Sequence, residues 1–208
     1  IPKQYMSLDG IPIMVRTLQI FQEHPEIEFI ILTAPKGQTE YCFHEFVQPY
    51  GITKVRGVAQ GGLTRQESVL NGLRLVEDSD HVVIHDSVRP LVKAAVISES
   101  IKQAKLYGAA IAACSMTDTV KVGDDFVVRT LSRENLWLAH TPQTFRTKLI
   151  MEAHERAAKE GFMGTDDAAL IENMGSRVAI VEDSAYNLKI TLPEDLLTAE
   201  RLIKNSRS

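Results

Sequence analysis

His81-Val82-Val83-Ile84-His85-Asp86-Ser87-Val88-Arg89-Pro90 runs from a short apolar stretch rich in β-branched residues straight into an acid, a base and a proline. A run of that kind reads as a buried strand. Charged groups at the C-terminal end of a buried strand lie where doubly wound sheets bind ligands. Three further stretches read as strands in the same way: Phe29-Ile30-Ile31-Leu32, residues 109–113, and Val178-Ala179-Ile180-Val181. Between them the periodicity predicts helices over 65–76, where Val69, Leu73 and Val76 share a face, over 145–159 and over 193–204. Thr64 with Glu67 and Thr191 with Glu194 have capping-box spacing, and Pro193 suits a first turn. The alternation implies an α/β fold, a doubly wound and mostly parallel sheet with helices on both faces.

One stretch departs from the alternation. Val120-Lys121-Val122, Gly123-Asp124-Asp125 and Phe126-Val127-Val128 read as a β-hairpin with a polar turn. A hairpin inserted in a doubly wound sheet has nowhere internal to pack, so it is expected to project as an arm and pair with a second copy of the chain.

The 208 residues suit one domain. With 23 Lys and Arg against 27 Asp and Glu, the formal charge is −4, so the basic excess that phosphate-backbone binding needs is missing and nucleic acid is not expected as a partner. Hydrophobic residues at 44% and charged residues at 24% indicate globular composition. No apolar run approaches a membrane span, so no membrane partner is expected. Cys42 and Cys114 are far apart among apolar residues and read as reduced packing cysteines of a cytoplasmic protein. The opening Ile1-Pro2-Lys3-Gln4-Tyr5 shows neither an initiator Met nor a signal-peptide pattern.

Chemistry-bearing residues fall into four groups. Lys3 follows Pro2. Gly61-Gly62-Leu63-Thr64-Arg65-Gln66-Glu67-Ser68 carries a glycine pair into a helix N-terminus, which suits either close ligand approach to backbone N–H groups or an ordinary capped turn. Asp86 and Arg89 suit a phosphate and its metal ion, or a structural ion pair. A dispersed group contains Thr117-Asp118-Thr119, Ser132-Arg133, Thr141-Pro142-Gln143, Thr165-Asp166-Asp167 and Asn187-Leu188-Lys189. The six histidines have no zinc spacing, and no G-x-S-x-G, G-x-G-x-x-G or Walker A sequence is present. Hydrolase, dinucleotide and P-loop readings are therefore unsupported.

Taken in order, Pro-Lys-Gln-Tyr, Gly-Gly-x-x-Arg-x-x-Ser-Val, His-Asp-x-x-Arg-Pro, Thr-Asp-Thr, Arg-x-x-Leu-Trp-x-x-x-Thr-Pro-Gln-x-Phe, Thr-Asp-Asp-Ala and Asn-x-Lys-Ile-Thr-x-Pro-Glu-Asp-Leu resemble the 2-C-methyl-D-erythritol 4-phosphate cytidylyltransferases from Pro2 to about Ile203. The resemblance implies a Rossmann-like nucleotidyltransferase domain over 1–208 and transfer of CMP from CTP to methylerythritol phosphate with release of pyrophosphate in isoprenoid biosynthesis. It further implies Mg²⁺ or another divalent ion, and a homodimer joined by an arm at about 117–141. Lys3 and Lys189 would act on the α-phosphate. Gly61, Gly62, Leu63 and Ser68 would bind the nucleotide, and Asp86 would lie by the ribose, metal and acceptor. Arg89 would organise that loop and join the acceptor-binding set of Thr119, Arg133 and Thr165, the first two coming from the partner's arm.

Two departures stand out. Family members begin with a strand and a loop of the form A-A-G-x-G-x-R, and the given chain starts just after it. Ser87-Val88 stands where small alanine-like residues are usual, and valine there is shared with ribitol-5-phosphate cytidylyltransferases, the alternative acceptor class. A catalytically silent nucleotide-binding relative is the remaining alternative.

Overall fold

The computed structural model describes residues 2–206. After a 3-10 turn at Lys3–Tyr5, β1 (Ser7–Leu8) and β2 (Ile11–Pro12) form a two-residue hairpin. Its corner residues Asp9 and Gly10 have φ of 49° and 80°, the positive values that a tight turn of this hand requires. There follow α1 (Ile13–Glu23), β3 (Ile30–Ala34), α2 (Thr39–Cys42) running into a π-helical segment Phe43–Val47, and β4 (Val55–Gln60). Next come α3 (Arg65–Leu73), β5 (His81–Ile84), α4 (Ala94–Tyr107) and β6 (Ala109–Ser115). The chain then passes through β7 (Val120–Gly123), β8 (Val127–Leu131), β9 (Trp137–Arg146), α5 (Thr147–Glu160), α6 (Asp167–Asn173), β10 (Ala179–Glu182) and α7 (Pro193–Ser206).

The main sheet has the order β10-β6-β9-β5. β10 is parallel to β6, whereas β9 is antiparallel to both of its neighbours, so β5, β6 and β10 run one way and β9 runs against them. β3 and β4 form a separate parallel pair. A cavity of about 410 Å³ is lined by consecutive residues of both β3 (Ile30–Leu32) and β5 (His81–Val83). Among the described residues each of those strands has a partner on one side only, so two strand edges border this cavity.

β9 corrects the sequence reading. Residues 145 and 146 were expected to open a helix, yet Phe145 is fully buried in the strand, opposite Val82 on one side and Ala109 on the other. Pairing on both edges outweighs the helical pattern of the residues that follow. Pro142, which lacks an N–H, falls in the irregularity between the Gln143 and Ala139 pairs, where a strand tolerates it. The helix expected over 65–76 stops at Leu73, where Leu75 and Val76 make reverse turns onto Gly72 and Leu73.

The hairpin forms as expected, β7 against β8, with no third strand in its sheet among the described residues. Phe126 at its tip is 85% exposed and Val128 is 77% exposed. Both cysteines are free, and no helix among the described residues is long and apolar enough to cross a membrane.

Candidate active site

The turn after β5 meets the segment before α7. Beneath them Val88 and Ile190 pack with Leu8, Ile13, Ala199 and Ile203 in one apolar cluster. Main-chain pairing joins the same segments, Ile190 N–H donating to the Val88 carbonyl at 2.9 Å. Arg89, 7% exposed, donates from Nη1 to the Asn187 carbonyl at 2.6 Å and lies 3.4 Å from Asp86 Oδ2 through Nε. Asn187 is buried, and its Nδ2 donates to Thr141 O at 2.9 Å and to Asp183 Oδ2 at 2.6 Å. Asp183 also faces His140 Nδ1 at 3.0 Å. Burial alone would raise the Asp183 carboxyl, but the hydrogen bonds from His140 and Asn187 hold it below the usual range.

These contacts bring Lys189 Nζ to 3.0 Å from Asp86 Oδ2. Arg65, the first residue of α3, places Nε 3.5 Å from Asp86 Oδ1. Burial raises the Asp86 carboxyl, and the three cations more than reverse this, so it stays ionised below the ordinary carboxylate range. Asp86 is anchored through its main chain as well: its N–H donates to Thr141 Oγ1 at 3.1 Å, and that hydroxyl is 3.0 Å from His85 Nδ1. His85 Nε2 lies 3.1 Å from the Arg89 carbonyl. Burial pushes the His85 pKa down to about 4. The ring is therefore neutral, with Nε2–H donating to the carbonyl and Nδ1 accepting from Thr141.

The glycine loop flanks this cluster. Thr64 caps α3, its Oγ1 accepting from Glu67 N–H at 3.1 Å. The Glu67 carboxylate reaches back to Leu63 N–H at 2.6 Å rather than to the cap's own N–H. Gly62 N–H donates to Ser68 Oγ at 3.0 Å, and Ser68 donates to Thr64 O at 2.8 Å. A side chain on Gly62 would put its Cβ 2.3 Å from Glu67 Cβ, so only glycine fits the crossing. Leu63 is 97% exposed, leaving the loop's outer face open to a ligand.

Comparison with known proteins identifies the family. The family described as 2-C-methyl-D-erythritol 4-phosphate cytidylyltransferase matches residues 1–205. A protein of that name from Geotalea uraniireducens is 47% identical over 100% of this chain and 91% of its own length. Another from Syntrophus aciditrophicus is 44% identical over 98% of this chain and 88% of its own length. The crystal structure of the Thermus thermophilus cytidylyltransferase superposes with a TM-score of 0.84 at 32% identity, covering 98% of this chain and 94% of that one. The Anaerococcus prevotii 4-diphosphocytidyl-2C-methyl-D-erythritol synthase gives a TM-score of 0.87 at 30% identity, covering 95% and 88%. The chain belongs to this family of cytidylyltransferases.

Within that family's Rossmann-like nucleotidyltransferase fold, Asp86, Arg89 and Lys189 meet around one carboxylate, with the Gly61–Ser68 loop linked to them through Arg65. Lys3 is exposed in the opening turn and contributes to the lowered pKa of Asp195, an effect led by the Leu192 and Thr191 N–H groups. Asp195, not the expected Glu194, caps the start of α7 by accepting from Thr191 and Leu192. Thr165 is exposed, just ahead of Asp166, whose side chain caps α6. Thr119 and Arg133 lie on the exposed arm, where the Arg133 guanidinium donates to the Thr117 carbonyl of its own chain.

Val88, the departure noted in the sequence, is 6% exposed and packs in the apolar cluster beneath the site. Arg65 and Gln143 carry roles the sequence reading left unassigned. Gln143 is buried on β9. Its Oε1 accepts from the N–H groups of Asp167 and Ala168, and its Nε2 donates to Asp166 Oδ2 at 2.7 Å. Their signal was present in the quoted motifs, but a motif gives no partner.

Proposed function

We propose that the chain transfers the cytidylyl group of CTP to the phosphate of 2-C-methyl-D-erythritol 4-phosphate and releases pyrophosphate. The observation that carries this reading is the single carboxylate, Asp86, ringed by Lys189, Arg89 and Arg65 beside the glycine loop. An acceptor phosphate oxygen forms the new bond to the α-phosphorus, and the bond to the β-phosphate breaks. A phosphate monoester is already ionised near neutral pH, so no general base is needed. The neighbouring His85 is in keeping with this, being neutral with both ring nitrogens engaged. What opposes reaction is repulsion between anions, and fixed cations offset it. Lys189 and Lys3 serve that purpose at the α-phosphate.

The described residues contain no group of three His, Cys, Asp or Glu side chains suited to a metal. Asp86 alone fits Mg²⁺, which commonly takes one or two carboxylates and completes its shell with substrate phosphates and water. Bound there, Mg²⁺ would neutralise phosphate charge. The loop Gly61, Gly62, Leu63 and Ser68 reads the base, Arg89 serves as the strut of the Asp86 turn, and Thr165 faces the acceptor.

The working unit of this reading is a cytoplasmic homodimer in which the arm carries Thr119 and Arg133 to the partner's acceptor site. Support comes from the apolar, solvent-exposed tip at Phe126, Val127 and Val128, since a lone two-stranded ribbon is marginal in water. Pyrophosphate release measured side by side with methylerythritol phosphate and ribitol 5-phosphate, in CTP and Mg²⁺, tests the function. Faster turnover of ribitol 5-phosphate would overturn the acceptor assignment, and no turnover of either would favour a silent binder.

A further inference from the structure

Asp86 divides its two oxygens between different neighbours. Oδ2 faces Lys189 Nζ at 3.0 Å and Arg89 Nε at 3.4 Å, whereas Oδ1 faces Arg65 Nε at 3.5 Å. The other end of the Arg65 guanidinium is held more tightly, with Nη2 2.7 Å from Asp167 Oδ2. Asp167 is 1% exposed, and its Oδ1 lies 3.4 Å from Nε2 of the fully buried His154 on α5. Burial would lower the Arg65 pKa, but Asp167 and Asp86 reverse this and raise it. A buried carboxylate without a cation is costly, so Asp167 anchors the guanidinium from the core outward.

The segments joined in this way are those that bind different parts of the reactants. Arg65 lies within the Gly61–Ser68 segment, at the first position of α3. Asp86 ends β5, and Asp167 stands two residues after Thr165, in a turn that Gln143 fixes to β9. We infer that Arg65 is a positioning residue, a strut between Asp167 and Asp86 that holds the acceptor loop and the site carboxylate in one geometry. When Lys189 turns from Asp86 to a phosphate, Oδ1 keeps its partner and the carboxylate keeps its orientation. A lysine cannot replace this strut, because one ammonium lacks the planar fork that meets two carboxylates at once.

The inference rests on the proposed site, and the experiment separates the two. Steady-state kinetics with each substrate varied are measured for wild type, Asp86→Ala, Arg65→Ala, Arg65→Lys, Asp167→Asn and the Arg65→Ala/Asp167→Asn double variant, with thermal melts for each. Arg65→Ala is expected to lower kcat/KM for the acceptor on the order of tenfold or more while the KM for CTP stays within about twofold, because the base-reading loop is held by Thr64 and Ser68 rather than by Arg65. Arg65→Lys should recover less than about a third of the loss. The double variant should be no worse than the poorer single one within about twofold, since both remove the same strut. Full rescue by lysine, equal losses for both substrates, or losses that multiply would each overturn the strut. Should Asp167→Asn fail to fold, the two Arg65 variants at their half-exposed position decide alone. An Asp86→Ala enzyme with wild-type turnover would instead overturn the site beneath the inference.

Discussion

At the scale of single residues, charge placement separates chemistry from scaffolding. Lys189 is exposed and its ammonium pairs with the Asp86 carboxylate, whereas Arg89 is buried and committed to main chain and Asp86 together. Lys189→Ala should therefore lower kcat on the order of a hundredfold, about 3 kcal/mol of lost transition-state stabilisation, with a smaller change in CTP binding. Rapid-quench turnover and CTP titration check this, and a turnover number near wild type would remove Lys189 from the catalytic set. His85 gives a pH signature. Its folded pKa of about 4 lies below the ordinary value of 6.5, so between those values the unfolded chain binds a proton that the native chain refuses. Stability is complete above pH 6.5 and falls as the pH drops towards 4, by about 3 kcal/mol at most. His81, lowered by burial as well, acts in the same direction. Urea unfolding of metal-free protein at pH 7 and pH 4.5 should show this loss, and His85→Gln should make the difference between the two pH values smaller.

At the scale of elements, the strands after which charged loops follow were legible because their apolar runs are short and bounded. The segment His81–Ile84 is a strand from end to end. What the sequence concealed was β9, since Thr141-Pro142-Gln143-Thr144-Phe145 carries a proline and polar residues into a place that is buried on both sides. Its burial depends on partners far away in the chain, and no local pattern encodes that. The Asp9-Gly10 hairpin went unread as well, because the two strands it joins are too short to show alternation. The site divides likewise. Asp86, Arg89 and Lys189 were visible as charged residues in motifs, but the Arg65–Asp167 and Gln143 connections required the fold. The Gln143 connection has a measurable weight. Gln143→Ala leaves the buried N–H groups of Asp167 and Ala168 without their acceptor, a loss of about 2 kcal/mol or more. Denaturant unfolding should register it, and the KM for the acceptor should rise as the Thr165 turn loosens. An unchanged midpoint would mean that α6 holds its own start.

At the scale of the whole molecule, two features stand apart from the packed core. One is the space between β3 and β5, where two strand edges face a single cavity. The other is the arm, whose apolar tip is exposed and whose strands, among the described residues, pair only with each other. In the proposed homodimer an exposed apolar ribbon of this kind would meet a second copy, and the two-fold operation that closes such a dimer would send each arm to the other protomer. Arg133 and Lys189 of one complete site would then belong to different chains, which mixing can reveal. An Arg133→Ala protomer paired with a Lys189→Ala protomer makes one site with both defects and one with neither. Two inactive parents should therefore regain activity after subunit exchange, towards about a quarter of wild type when exchange is random and the sites are independent. If Arg133 served its own chain's site, every site in the mixture would carry one defect and nothing would be regained. Exchange verified by mass spectrometry without recovered activity would thus return Arg133 to its own protomer, and a fully active monomer would dispense with the arm altogether.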